Sequence, residues 1–240
     1  MKDKAAIAYL LKKQFTFLAI FFIWWIVMGV ILPSIGLLVE GSTVSTDVLM
    51  PMMGFAVIIA FMSTNSDFNL FIQIGMRRLH IFLVNMITSI LMSASIAIVV
   101  YLFSKITLNR LHLTAFLISK HVYYSEHIFV NILLLFIVIF FLSSIGLLLG
   151  TFNDMFKGIK KIVIILLVMS IPAIVSLVIQ LSGDKVQGQS LHLLGRLIGF
   201  SSNTGFVIAP LMGTILICTG VCLVLMYFLN QHHEVSRKGE

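Results

Sequence analysis

Long runs without a charged residue alternate with short polar connections along this chain. The runs cover 14–39, 48–66, 81–104, 128–153 and 162–183, and a last one lies between Arg196 and Glu234. A helix needs about 20 mostly apolar residues to cross a hydrocarbon core of about 30 Å. The last run is too long for one crossing, and its first part, IGFSSNTGF, is rich in Gly and Ser and reads as a loop. The pattern therefore predicts an all-α membrane protein with six spans, at 14–39, 48–66, 81–104, 128–150, 162–183 and 206–230. Lys12 and Lys13 precede an apolar run, as in a secretory signal, but this run continues through Trp24, Trp25 and Ile31 to Leu38. Signal cores hold about 7–15 apolar residues, so a retained helix is expected instead. Pro33, Pro51, Pro172 and Pro210 are placed to kink spans 1, 2, 5 and 6. Trp24 and Trp25 lie about one-third along the first span and are expected to face protein.

Composition agrees with the pattern. The chain has 240 residues, 60% of them hydrophobic and 10% charged, and its mean hydropathy is +1.11. Soluble domains carry roughly 25% charged residues, which excludes an ordinary soluble fold and a disordered chain. The net charge of +7 is scattered, so nucleic acid is not an expected partner. No low-complexity tract marks a linker, and 1–240 is expected to form one integral domain. Cys218 and Cys222 share a helix face and read as small apolar packing residues.

The connections set the expected orientation. With the N-terminus inside, the inner segments hold Lys2, Lys4, Lys12, Lys13, Arg77, Arg78, Lys157, Lys160, Lys161, Arg237 and Lys238, eleven basic residues. The outer segments hold five, Lys105, Arg110, Lys120, Lys185 and Arg196. Basic residues favour the cytoplasmic side, so both termini are expected inside.

The spans lack chemistry. None contains Asp, Glu, Lys or Arg, the residues that mark ion relays and coupled carriers. His80, His112, His121, His127, His192, His232 and His233 fall in connections or the tail, and no metal site is expected. Ser143 and Ser144 in FLSSIG lack a nucleophile elbow and a partner histidine. No GxxxxGK[ST] occurs, so the chain binds no nucleotide by a phosphate loop. No catalytic residue and no bound cofactor are expected.

Three inner segments are patterned for contact. In 2–13, Ile7, Leu10 and Leu11 share one face, Lys2, Lys12 and Lys13 lie opposite, and Lys4 and Asp3 flank the apolar face. Such a helix can lie in the headgroup layer or act as a topology anchor. In 65–80, Asn65, Ser66 and Asp67 are good N-caps. Phe68, Phe71, Ile72, Gly75 and Leu79 fall on one face, with Asn69, Gln73, Arg77 and His80 on another. A short capped helix at the membrane surface is predicted there, its polar face toward a soluble partner. In 151–161, Asn153 or Asp154 can cap a short helix that contains Lys157 and ends in Lys160 and Lys161; a short basic turn is the alternative. On the outer side, 105–127 is expected to hold an interfacial helix with Tyr123 and Tyr124 at headgroup level. The segment 183–205, with Leu191, Leu193, Leu194, Leu197, Ile198 and Phe200, is expected to dip into the outer leaflet as a re-entrant hairpin.

Taken together, the N-terminal amphipathic helix, the six spans with both ends inside, the helical first inner loop and the apolar dip between spans 5 and 6 resemble the permease subunit of the ABC-2 type exporters. The stretch FNLFIQIGMRRLHIFLVNMI (68–87) is similar to a signature of small bacterial permeases of that class, a Gly followed by basic residues and the next span. The resemblance implies a coupling helix that docks on a separate P-loop ATPase, formed by Asp67, Phe68, Asn69, Phe71, Gln73, Gly75, Arg77 and Arg78. It implies a connecting helix with Lys4, Ile7, Leu11, Lys12 and Lys13, and a second inner loop with Asp154 and Lys157. It further implies a second permease chain, identical or homologous, with ATP and Mg bound by the partner ATPase, in a bacterial cell membrane. Uncharged spans favour an amphipathic or hydrophobic cargo, such as a peptide, a drug or a lipid-like molecule. A stand-alone membrane immunity or scaffold protein, or a channel without an ATPase partner, is the alternative.

Overall fold

A computed structural model describes residues 2–35, 44–108, 111–119, 122–156, 184–201 and 205–232. Helix α1 (Lys2–Ile26) runs on through a π turn (Val27–Ile31) to Ile35. Strand β1 (Val44–Asp47), α2 (Leu49–Gln73), α3 (Arg78–Phe103), β2 (Thr107–Leu108), β3 (Leu111–Thr114) and α4 (Ile128–Met155) follow. The chain closes with α5 (Asp184–Ile198), β4 (Phe200–Ser201), β5 (Gly205–Phe206) and α6 (Ile208–His232).

Four helices are long and apolar enough to cross a membrane: Lys2–Ile35, Arg78–Phe103, Ile128–Met155 and Ile208–Gln231. They carry the first, third, fourth and sixth expected spans. The second lies on α2, which has 25 residues and is about 37 Å long; its apolar part is Leu49–Thr64. The fifth, 162–183, lies outside the described residues, as do Pro172 and Lys157.

The expected break between a connecting helix and the first span is absent. Residues 2–26 are one α-helix, and its buried positions Ala6, Leu10, Gln14 and Leu18 recur every fourth residue. Lys12, Lys13 and Gln14 are good helix formers, and neither Gly nor Pro stands near them, so nothing interrupts the hydrogen-bond ladder. The interruption comes later, where the Leu32 N–H bonds Val27 O across a π turn. Pro33 follows immediately. A proline ring collides with the carbonyl four residues back, and the widened turn lets the helix pass it. Of the tryptophans, Trp25 is buried and Trp24 is 54% exposed, so only one faces protein. Pro51 and Pro210 sit in the first turns of α2 and α6, where proline is tolerated.

The short capped helix expected over 65–80 is likewise no separate element. Residues 49–73 form one helix, and Asn65, Ser66 and Asp67 lie within it. Single residues of middling helix propensity do not stop a helix held by packing. Gly75 stops it, at φ 78°. The Gly75 N–H bonds Ile72 O (2.9 Å) and the Met76 N–H bonds Phe71 O (3.0 Å). This is a Schellman ending, and Phe71 and Met76 make the apolar contact that accompanies it.

Helix α4 is the centre of the bundle, packed by α2, α3 and α6. Gly146 and Gly150, one turn apart, bring it against the backbone of α2. A Cβ at Gly146 would stand 2.4 Å from Val57 O, and one at Gly150 would stand 2.8 Å from Phe61 O. In lipid, apolar surface gains little by leaving its surroundings, so close backbone approach and hydrogen bonds hold helices together. Ser93 of α3 and Ser143 of α4 meet at 3.3 Å. Buried hydroxyls of Thr64, Thr88, Ser144, Thr151 and Thr219 donate to the carbonyl one turn back, which satisfies them inside the bundle. On the outer faces, Ile23, Phe129 and Ile217 are exposed, as lipid contact requires.

The end opposite the α2–α3 turn carries strands where an interfacial helix was expected. Strand β3 lies between β1, parallel to it, and β2, antiparallel to it. Leu111 and Leu113 are buried and His112 is exposed, a period of two that fits a strand and not a helix. Asp47 ties this sheet to α2. Its Oδ1 accepts from the N–H of Leu49 (2.8 Å) and of Phe116 (3.4 Å). Asp47→Ala is expected to cost about 1 kcal/mol, the usual worth of a helix cap, with faster amide exchange confined to Leu49 and its neighbours. Uniform exchange along α2 would refute this role.

The segment expected as a re-entrant hairpin over 183–205 is built, in its described residues, from helix α5, a turn at Gly199 (φ 82°) and the pair β4–β5. A run of leucines spaced three and four apart favours one amphipathic helix over irregular chain. Its last carbonyls find side-chain donors: Thr214 Oγ1 to Leu197 O (2.9 Å) and Tyr123 Oη to Ile198 O (2.5 Å). Tyr123 is buried and Tyr124 exposed, so only Tyr124 is free for a headgroup layer. Burial pushes the Tyr123 phenol up from its ordinary value, which keeps it a donor.

Candidate functional site

The Schellman ending of α2 turns the chain back through Met76 and Arg77 into α3, and two other parts of the chain fasten to this turn. An apolar cluster forms first. Phe68 and Phe71 of α2, Met76 of the turn, and Ile81 and Val84 of α3 bury themselves against Ala6 and Leu10 of α1, with Ile7 and Ile72 at the edge. Polar tethers surround it. The Lys2 ammonium donates to Ile74 O (2.9 Å), at the carbonyl end of α2 where a cation suits the helix dipole. Asp3 Oδ2 meets His80 Nδ1 at 2.8 Å. Lys13 Nζ spans both carboxylate oxygens of Asp67, at 2.8 and 2.9 Å. Arg78 Nη1 donates to Gln231 O (2.7 Å) and Asn230 Nδ2 donates to Arg78 O (3.1 Å), so the end of α6 joins as well. The start of α1, the α2–α3 turn and the end of α6 therefore share one end of the bundle.

The residues expected to form a docking helix are brought together, but in other roles. Asp67 is no cap; its side chain is 4% exposed and paired with Lys13. Phe68 and Phe71 face α1 rather than lipid or a partner, because the N-terminal turns of α1 supply the apolar cover. Asn69 lies in α2, and its side chain is outside the described residues. Gln73 is exposed in the last turn of α2, Gly75 makes the reversal, Arg77 is exposed, and Arg78 is half-buried against α6. Of the expected connecting residues, Lys4 and Lys12 are exposed, Ile7 packs beside Phe68 and Phe71, and Leu11 packs on the main core. Asp154 is half-buried in the last turn of α4, away from this turn in sequence and on a continuous helix rather than a separate short one.

Sequence reasoning missed the Lys13–Asp67 and Asp3–His80 pairs and the part played by Asn230 and Gln231. A signal existed for the first. Asp67 is the one acidic residue between Asp47 and Glu126, and it falls in an inner segment otherwise basic. A carboxylate at that depth needs a cation, and Lys13 closes the inner segment 2–13, which lies on the same side. Among the described residues no three His, Cys, Asp or Glu side chains are grouped to hold a metal. Comparison of the chain with family models, with curated proteins and with solved structures found no match.

Proposed function

We propose that this chain is the membrane-spanning subunit of an ATP-driven exporter, paired with a second permease chain and worked by a separate P-loop ATPase that docks on the α2–α3 turn. One observation supports this reading above the rest: the turn is exposed at Gln73 and Arg77, yet braced to α1 and α6 by ion pairs and hydrogen bonds. A force applied there passes into α1, α2, α3 and α6 together rather than into a loose loop. The docking face on this reading is narrower than the pattern of the sequence implied. It consists of Gln73, Ile74, Arg77 and the neighbouring Leu70, all exposed, and excludes the buried Phe68 and Phe71.

ATP and Mg belong to the partner, and this chain contributes the route. Its spans are apolar, so an amphipathic or hydrophobic cargo, such as a peptide, a drug or a lipid-like molecule, crosses at least cost. The membrane is that of a bacterial cell, with both termini on the cytoplasmic side according to the balance of basic residues.

The test is co-purification from the native membrane. The tagged chain is expected to bring down a P-loop ATPase, and Arg77→Glu is expected to reduce it at least about tenfold, the effect of losing a central interface arginine. Because Arg77 is exposed, the variant should keep the wild-type unfolding midpoint. Isolation of the chain with no ATPase would instead support the stand-alone immunity, scaffold or channel reading.

A further inference from the structure

Two hollows run end to end along one face of α1. The first, about 320 Å³, lies between α1 and α2 and is walled by apolar groups, among them Phe17, Ile20 and Trp24 on one side and Phe55, Ile58 and Met62 on the other. The second, about 400 Å³, is formed by Tyr9, Lys12, Lys13, Thr16 and the shared Phe17. They make one groove with an apolar body and a basic, hydroxyl-bearing end. Phe21 stacks on Phe55 with ring centroids 4.7 Å apart, which fixes the floor between the two helices. Lys13 is committed to Asp67. Lys12 is exposed, and its ammonium has no partner among the described residues.

We infer that this groove binds one anionic membrane lipid, with its phosphate-bearing headgroup at Lys12 and an acyl chain laid along α1 and α2. The dimensions fit: from Lys12 to Trp24 the helix rises about 18 Å, close to the depth of one leaflet, about 15 Å. The chemistry changes at the right level, from ammonium, phenol and hydroxyl groups at Tyr9, Lys12 and Thr16 to rings and aliphatic chains beyond Phe17. Basic pockets at the inner ends of membrane helices favour anionic headgroups. Charge also selects between occupants. A second copy packed in parallel on this face would set Lys12 against Lys12, two like charges at one depth, whereas an anionic headgroup neutralises it. The inference requires only that the helices span a bilayer, and it stands or falls independently of any ATPase.

The chain reports on its own groove, because it has two tryptophans, Trp24 in the groove wall and Trp25 buried at 3% exposure. The full chain is reconstituted in phosphatidylcholine vesicles with a minor fraction of brominated phosphatidylglycerol, or the same fraction of brominated phosphatidylcholine. The anionic lipid is expected to quench tryptophan emission about fivefold more effectively, the preference that one basic residue confers near anionic lipid. Trp24→Phe removes that quenching, Lys12→Glu abolishes the preference and Lys12→Arg keeps it. Both positions are exposed, so folding is not at stake. Equal quenching by the two lipids, or a preference that survives Lys12→Glu, overturns the site. So does a Trp24 shielded from both lipids together with disulfide-linked pairs of an Ile20→Cys variant, which would assign the face to a second copy.

Discussion

Lys13→Ala is expected to destabilise the protein by about 3–5 kcal/mol, the cost of leaving a buried charge without its partner. Asp67→Ala is expected to cost less, and the difference follows from depth. The Asp67 side chain is 4% exposed and that of Lys13 is 29% exposed. Without Lys13, the carboxylate stays on the helix at 4% exposure, largely out of water and without its cation. Without Asp67, the long lysine stem can swing its ammonium outward. Replacing both with apolar residues of similar size, Lys13→Met with Asp67→Leu, is expected to recover most of the loss, since neither charge is then stranded. The unfolding midpoint in detergent micelles orders the variants. Equal losses in the two single variants, or a double variant worse than either, would show that the pair is not what holds α1 to α2. On the proposed function the single variants also uncouple the turn from α1, whereas the apolar double variant restores stability without the directional ion pair.

Gly146→Ala is expected to cost about 3 kcal/mol, at the upper end for overpacking. The added Cβ would stand 2.4 Å from Val57 O and 2.9 Å from the Ala60 Cβ. Neither is the end of a flexible side chain, so α2 and α4 must separate along their common contact. Separation also loosens the Gly150 contact with Phe61 O, and the two substitutions are expected to be less than additive because the first has already paid part of the displacement. Gly213→Ala and Gly220→Ala on α6 are the controls. Nothing lies within 4 Å of a Cβ at either position, so the change is expected to be neutral or to stabilise by about 0.5–1 kcal/mol through helix propensity. If all four substitutions behaved alike, the glycines would matter through helix propensity, not through close packing.

Several elements could be read directly from residues. The apolar runs at 81–104 and 128–153 became α3 and α4 to within about three residues at each end, because transfer to lipid is a sum over local side chains and needs no knowledge of the fold. Pro33 was visible as a disturbance in the first helix, whereas Gly75, placed by the pattern on the apolar face of a helix over 65–80, instead ends α2. The candidate site was visible as a place: polar and basic residues crowd 65–80 and 2–13, between and before apolar runs. Its construction was not. The pattern that marked Phe68 and Phe71 as one apolar face could not say whether lipid, a partner or α1 would cover it, since all three are equally apolar to a helical wheel. The caps read at 65–67 were also sound by propensity, but a cap residue inside a helix costs only a few tenths of a kcal/mol to about 0.7 kcal/mol, less than packing supplies. The strands at 107–114 were misread because Leu111–Thr114 is too short for one period to stand out against another, and its partner β1 lies far back in the chain.

By itself, then, the order of residues determined which stretches are apolar enough for lipid and which connections carry the basic charge, because each depends on a side chain and its near neighbours. Tertiary structure alone decided that Lys13 finds Asp67 across 54 positions of sequence, and that α1 and α6 close on the α2–α3 turn. Those outcomes depend on which faces meet when apolar helices compete for one another's surfaces, a choice among distant partners that no local pattern records.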